Sequence, residues 1–290
     1  MKNIILKLFV FLSHIPWCIM YGISDILYYP LYYIIRYRRK TTRKNLINSF
    51  PDKDLHEIKK IEKKFYIHFC DLFAETIKTL SISNEEIKER VVFTNPEVLN
   101  SYLKEGKNIV TIGGHFGNWE WLTSFSLWAE PGSKVLPLYK PLHNKTFDEL
   151  MLLIRRHFGA DPMHKKEMLR KLVTFRREGI KTIVAFIGDQ RPQRHNAHMW
   201  TRFLNQETAV FPGAEKISEL FKAIPLYVWT TQEKRGYYRI TFYEIDKNPL
   251  ELEFGEMTRK HTELLEKNII ASPELWLWSH SRWKYKHVQE

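Results

Sequence analysis

The sequence predicts an α/β fold, a layered sheet flanked by helices, behind an N-terminal hydrophobic helix suited to anchor the chain in a membrane. Three observations predict it. From Val91 onward, short apolar runs alternate with segments of helical period, the pattern of strands joined through helices. Residues Ile4 to Ile35 are strongly apolar and aromatic and end in the basic run Arg36-Tyr-Arg-Arg-Lys40. The chain has 290 residues, 44% of them hydrophobic, which is enough for one sizeable domain and an appendage.

In chain order, Leu8 to Ser24 carries no formal charge and approaches the roughly 20 residues that a span needs. Trp17, Tyr21, Tyr28, Tyr29, Tyr32 and Tyr33 suit a membrane interface. The absence of a small-residue cleavage site argues against a signal peptide. The alternatives are one helix or a helical hairpin, spanning or lying in the interface, or a buried core helix, since Asp25, Pro16 and Pro30 interrupt a clean span. Asp52 to Leu80 reads as an amphipathic helix, with Leu55, Ile58, Ile61, Phe65, Phe69, Leu72 and Phe73 on one stripe. Beyond it the pattern gives strands at Val91–Phe93, Ile109–Ile112, Lys134–Leu138, Thr182–Ile187, Ile224–Thr230 and Tyr237–Tyr243. Helices are expected at Pro96–Lys104, Asn144–Phe158, Lys165–Glu178, Phe211–Lys222 and Glu256–Ile270. There is no repeat and no long linker. The chain therefore divides into residues 1–44, an anchor with a basic flank, and residues 45–290, one body.

The charge is +12 with histidines neutral, which suits nucleic acid, an anionic membrane face or acidic substrates. Two cysteines, Cys18 and Cys70, make a disulfide framework improbable and a reducing compartment the default. His195 and His198 lack the companions of a zinc motif, so no metal site is expected.

The chemistry concentrates at Ile109-Val-Thr-Ile-Gly-Gly-His-Phe-Gly-Asn-Trp-Glu-Trp121. An apolar strand ends on glycines, His115 sits on the turn, and a helix opens with Asn118 at its cap and Glu120 in its first turn. Ligands of open α/β sheets bind at such strand ends. On one continuous helix His115 and Glu120 would lie about 140° apart, but a turn that folds back lets them pair. A carboxylate orients the ring, and the imidazole takes a proton from a hydroxyl. The alternative is a structural corner whose histidine caps a carbonyl. Gly188-Asp189-Gln190-Arg191-Pro192 follows another predicted strand, so a parallel sheet would bring it to the His115 loop, with Asp189 anchoring that loop or binding substrate. Arg155 and Arg156 end a helix on different faces, so at most one enters the cleft, there to bind phosphate or an oxyanion. Asn118 either caps its helix or bonds the reacting carbonyl. The segment from Arg194 to Arg202 reads as a basic, aromatic loop. His280, Arg282 and Lys284 form a further possible phosphate site.

The stretch Gly113-Gly-His-Phe-Gly-Asn-Trp-Glu120, an H-x4-E motif, closely resembles the signature of the bacterial lipid A biosynthesis (lauroyl/myristoyl) acyltransferases, which are lysophospholipid acyltransferase-like. So do Asn45-Leu-Ile-Asn-Ser-Phe-Pro51, Tyr139-Lys-Pro141, Arg155-Arg156 before Gly159, Asp189-Gln-Arg-Pro192 and Pro273-Glu-Leu-Trp-Leu-Trp-Ser-His-Ser-Arg-Trp-Lys284. The resemblance runs in order over nearly the whole chain. It implies that 45–290 is an acyltransferase domain on the cytoplasmic face of the inner membrane, in late lipid A (lipopolysaccharide) acylation. The implied donor is acyl carrier protein, or acyl-CoA, as a thioester, with no cofactor. The implied acceptor is a phosphorylated lipid A precursor in a membrane. His115 and Glu120 become the catalytic pair, and Asn118, Arg155 or Arg156, Asp189, Gln190 and Arg191 the substrate contacts.

Three other readings remain at this stage. One is acylation of another glycolipid or a lysophospholipid, although the glycerolipid branch usually shows an Asn-His with a Ser and an Asp here. Another is a thioester hydrolase with water as acceptor. The third is a non-catalytic basic protein of membrane surfaces or nucleic acid, which the lack of any nucleic-acid module and the scatter of the arginines disfavour.

Overall fold

The computed structural model describes residues 2–249 and 251–285; the last five residues of the predicted body lie outside that range. The apolar N-terminus forms two helices, α1 (Lys2–Ser13) and α2 (Trp17–Tyr29), separated at Pro16. A π-helical turn, Pro30–Ile35, prolongs α2. Among the described residues, the continuous stretch Trp17–Ile35 is the one helix long and apolar enough to cross a membrane, and most of it is exposed. α3 (Arg39–Ser49) runs through the expected boundary at residue 44.

α4 (Leu55–Lys78) is the longest helix and carries α1, α2 and α3 against it. It starts after the predicted Asp52 because a capping box prevails: the Asp54 carboxylate accepts from the Glu57 amide at 2.8 Å, and Glu57 reaches back to the Asp54 amide at 3.2 Å. α5 (Asn84–Arg90) leads into the sheet.

Seven strands form one sheet. In chain order they are β1 (Val91–Phe93), β2 (Ile109–Gly113), β3 (Lys134–Tyr139), β4 (Met163–His164), β5 (Thr182–Ile187), and then β8 (Ile224–Lys234) and β9 (Tyr237–Glu244). A separate antiparallel hairpin, β6 (Met199–Phe203) and β7 (Gln206–Val210), intervenes. The spatial order is β1-β9-β8-β2-β5-β3-β4, and only the β8–β9 pair is antiparallel. β2, central and buried at every residue, reads as a continuous apolar run because helices cover both faces. Those helices are α6 (Pro96–Lys104), α7 (Lys145–Arg156), α8 (Met168–Arg177), α9 (Gly213–Phe221) and α10 (Glu256–Ala271). The predicted strands and helices are all present within a few residues, α4 and α8 each starting three residues late.

Two differences have physical causes. The segment after Asn118 is a 3-10 helix, Trp119–Leu127, rather than an α-helix. Thr123, Ser124 and Ser126 each return a hydroxyl bond to the carbonyl three residues back, at 2.8, 2.7 and 3.0 Å, which tightens the turn. The segment expected to be a loop, 194–202, enters the β6–β7 hairpin instead. Its reversal uses Leu204 and Asn205, both at positive φ (49° and 61°), a turn that the leucine conceals.

Candidate active site

β2 and β5 lie parallel with Gly113 opposite Ile187, so their carboxyl ends deliver two loops to one crevice. His115 stands two residues beyond β2 and Asp189 two beyond β5. The Gly188 amide bonds the Gly113 carbonyl at 2.9 Å, which continues the ladder into both loops. Gly114 is required here: a Cβ would meet Leu265 at 2.8 Å and Asp189 at 3.3 Å.

Asp189 holds His115 at two points. Its Oδ1 lies 2.6 Å from the ring Nδ1, and its Oδ2 accepts the His115 backbone amide at 2.9 Å. Oδ2 also accepts the indole N–H of Trp276 at 2.7 Å. Burial pushes the Asp189 carboxyl up, but the charge of His115 and the bonds from His115 and Trp276 outweigh it and hold the group down at about 2. An ionised carboxylate only accepts, so Nδ1 donates and the lone pair of a neutral ring lies on Nε2. The Gln190 amide nitrogen sits 3.2 Å from that Nε2, placed to donate to it. The ring is 19% exposed, and Trp119 meets it edge-on at 5.0 Å.

Glu120 is placed differently from the sequence expectation. Both of its oxygens bind Arg155, at 2.8 Å to Nε and 2.7 Å to Nη2. The carboxylate on His115 is thus Asp189, where the motif pointed to Glu120. The cause lies in α7, which directs Arg155 inward to capture Glu120 in a planar fork while Arg156 remains exposed. Of the two arginines, Arg155 is the one turned toward Glu120. Its guanidinium is kept more basic than usual: burial opposes this, and the bonds and charge of Glu120 prevail. Asn118 is buried and caps the 3-10 turn, accepting from the Trp121 amide at 3.3 Å. Arg191 faces away from the ring and donates to the Ser281 carbonyl at 2.8 Å.

The C-terminal segment fastens the His115 turn, a contact that sequence spacing does not show. Phe116 bridges Trp276, the Gly117 amide bonds the Leu275 carbonyl at 3.0 Å, and the Leu277 amide bonds the His115 carbonyl at 3.0 Å. Arg38 and Asn45 hold this strap from the other side, through the carbonyls of Ser279, Trp278 and His280. The one available signal was the pair of tryptophans, whose indole N–H groups must find acceptors when buried.

Two hollows flank the strap. An apolar cavity of about 360 Å³ is walled by Phe69, Leu72, Phe73, Trp119, Met151 and Leu277, with Arg38, Glu120 and His280 among its polar lining. A larger cleft of about 960 Å³ is basic, lined by Arg38, Lys44, Arg191 and Lys284 with Asn45, Asn48, Gln206 and Tyr285. Arg38 lines both. The expected His280–Arg282–Lys284 group separates: Lys284 faces the basic cleft, whereas Arg282 is buried, which lowers its pKa to about 10.

Residues 4–285 match the family model of the bacterial lipid A biosynthesis acyltransferases. The chain belongs to this family. It is accordingly an acyltransferase of lipid A biosynthesis, as the resemblance over GGHFGNWE implied. Among its relatives is the lipid A biosynthesis palmitoleoyltransferase of Escherichia coli (strain K12), 24% identical over 264 residues that cover 88% of this chain and 82% of the relative. The lipid A biosynthesis acyltransferase of Shigella flexneri matches with the same identity and coverage.

Proposed function

We propose that this acyltransferase moves a fatty acyl chain from an acyl carrier protein thioester to a hydroxyl of a phosphorylated lipid A precursor, in a late acylation step. The observation that carries the reading is the His115 ring held at Nδ1 by the buried Asp189 carboxylate at 2.6 Å, which leaves Nε2 for a substrate hydroxyl. It stands beside Trp119, which also walls the apolar cavity. That is the arrangement of a general base next to an acyl-chain site.

The acceptor hydroxyl replaces the Gln190 amide at Nε2. Its oxygen attacks the thioester carbonyl as Nε2 takes the proton, and the imidazolium is stabilised by Asp189. The tetrahedral intermediate collapses, the C–S bond breaks, and the imidazolium returns the proton to the leaving thiolate. The products are an ester and a free thiol. No covalent enzyme intermediate is needed, consistent with the lack of a G-x-S-x-G elbow. Arg155, held in plane by Glu120, is assigned to the developing oxyanion, which makes Glu120 part of the machinery through Arg155. Asn118 sets the turn. Arg191 and the other basic residues of the larger cleft are assigned to acceptor phosphates, and exposed Arg156 to the acidic surface of the carrier.

The exposed apolar stretch Trp17–Ile35, followed by Arg36-Tyr-Arg-Arg-Lys40, supports seating in the inner membrane with residues 45–290 on the cytoplasmic side. The test is product analysis by mass spectrometry with the purified full chain in detergent. Acyl carrier protein and coenzyme A thioesters are offered against a phosphorylated lipid A precursor, another glycolipid and a lysophospholipid. The proposal expects an acylated precursor from the carrier thioester. Acylation of the lysophospholipid alone, or release of free acid alone, would overturn it.

A further inference from the structure

Glu75 lies on the inner face of α4, fully shielded from solvent, and touches none of the reacting groups. Its carboxylate accepts three hydrogen bonds from three different elements. The Tyr21 hydroxyl on α2 donates to Oε1 at 3.1 Å. The Asn118 amide and the Tyr238 hydroxyl on β9 donate to Oε2 at 2.8 and 3.0 Å. One turn along α4, Thr79 accepts the indole N–H of Trp121 at 2.8 Å, so the end of this helix grips the catalytic turn twice. An apolar residue would fill such a site at lower cost, whereas an acid met by three directed donors imposes one orientation on each of them.

The consequences run in both directions. On one side is Asn118, which caps the segment carrying Trp119, the neighbour of His115, and Glu120, the partner of Arg155. On the other side is the seat of the apolar helix α2. There Ser24 bonds Asp71 at 2.5 Å, and Arg235 joins Asp25 to Asp71 at 2.6 and 2.5 Å. Asp71 is one turn before Glu75 on α4. Gly117, just before the cap, has φ +57°, and a Cβ there would lie 3.0 Å from Thr230 and 3.3 Å from Tyr238. The turn therefore has no slack on the Tyr238 side.

We propose that Glu75 is a positioning residue that ties the docking of α2 to the geometry of the catalytic turn, through Tyr21 on one oxygen and Asn118 on the other. The inference rests on the reading of residues 115–120 as the acyl-transfer site. Loss of the α2 contact then relaxes Asn118, and with it Trp119 and Glu120.

The experiment uses the full chain in detergent micelles and compares wild type with Glu75→Leu, Glu75→Gln and Tyr21→Phe. Two readouts are taken: steady-state acyl transfer, and amide hydrogen exchange over residues 116–124. Glu75→Leu is expected to lower kcat about tenfold to a hundredfold, the scale of a misplaced catalytic group. The KM of the phosphorylated acceptor should stay within about threefold, because the basic cleft includes no residue of this turn. Glu75→Gln should restore kcat, since its carbonyl accepts from Asn118 and Tyr238 and its amide donates to the Tyr21 oxygen. Tyr21→Phe should lower kcat less than Glu75→Leu does. Exchange over 116–124 should rise in Glu75→Leu and Tyr21→Phe but not in Glu75→Gln. Should Glu75→Leu fail to fold, Tyr21→Phe carries the test. Wild-type exchange and kcat in Tyr21→Phe, or a Glu75→Gln variant as impaired as Glu75→Leu, would overturn the proposal. Absence of transfer in the wild type would instead refute the acyl-transfer reading, and the exchange pattern would still decide whether Glu75 couples α2 to the turn.

Discussion

Replacing Asp189 by Asn separates the role of Asp189 from that of Glu120. The buried carboxylate accepts from three donors: the His115 amide, the His115 ring and the Trp276 indole. Asparagine keeps the size but offers one carbonyl and one amide. If its carbonyl serves the backbone amide and the indole, its NH2 faces Nδ1. The ring must then change tautomer, which places the proton on Nε2 and removes the base. If its carbonyl serves Nδ1, the NH2 confronts two N–H donors, and the cost of unpaired buried groups, about 1–3 kcal/mol, falls on the loop. In either arrangement the imidazolium loses its counter-charge. A general base contributes about 10²–10⁴ in rate, equivalent to about 3–5 kcal/mol of barrier. We therefore expect Asp189→Asn to reduce kcat for transfer of labelled acyl chain by about 10²-fold or more. The assay is the initial rate of lipid labelling, with circular dichroism to show that the variant is folded. A folded Asp189→Asn enzyme within about threefold of wild type, beside a Glu120→Gln variant that has lost base catalysis, would refute the assignment.

Further outcomes follow from the same contacts. Arg155→Met should destabilise the fold by about 3 kcal/mol in urea unfolding, the lower end for a broken buried pair because Arg155 is 21% exposed. Adding Glu120→Gln should recover part of that loss, since no buried charge is then left alone. Burial pushes the Glu75 carboxyl from 4.5 up to about 7 against the bonds that favour its charged form. The folded chain thus holds this proton longer than the unfolded one, and this difference costs stability as pH rises from 4.5 through 7. At about 1.4 kcal/mol per unit the wild type loses about 3 kcal/mol relative to Glu75→Gln over that window. Urea midpoints measured at both ends of the window should show it. Met151→Trp, which fills the apolar cavity, should lower kcat/KM for long acyl donors relative to short ones by about tenfold or more, read from competition between two chain lengths.

Much of this architecture was legible in the residues, and the failures are instructive. The strand Ile109–Ile112 and the strand Thr182–Ile187 announced themselves as apolar runs ended by glycine. Their parallel pairing then brought His115 and Asp189 together, as the sheet rule requires. The identity of the partner carboxylate was not legible. Glu120 is near in sequence, but its direction depends on the 3-10 geometry of Trp119–Leu127 and on Arg155 from α7, both set by tertiary contacts. Glu75 stood three residues after Leu72 on the apolar stripe of α4, an acid on a buried face. Periodicity marks only the hydrophobic positions of the stripe, so it carries no sign of this acid. The strap from Leu275 to Arg282 meets the His115 turn across more than 150 residues, and no local pattern encodes that.

The central claim is that His115 acts as the base for acyl transfer to a lipid hydroxyl. Its most direct test is the single-turnover rate of label transfer from acyl carrier protein to the phosphorylated precursor, for wild type and His115→Ala. Labelled lipid from the wild type and a loss of about 10²–10⁴-fold in the variant are expected. Transfer by His115→Ala at the wild-type rate, or label appearing only as free fatty acid, would contradict it.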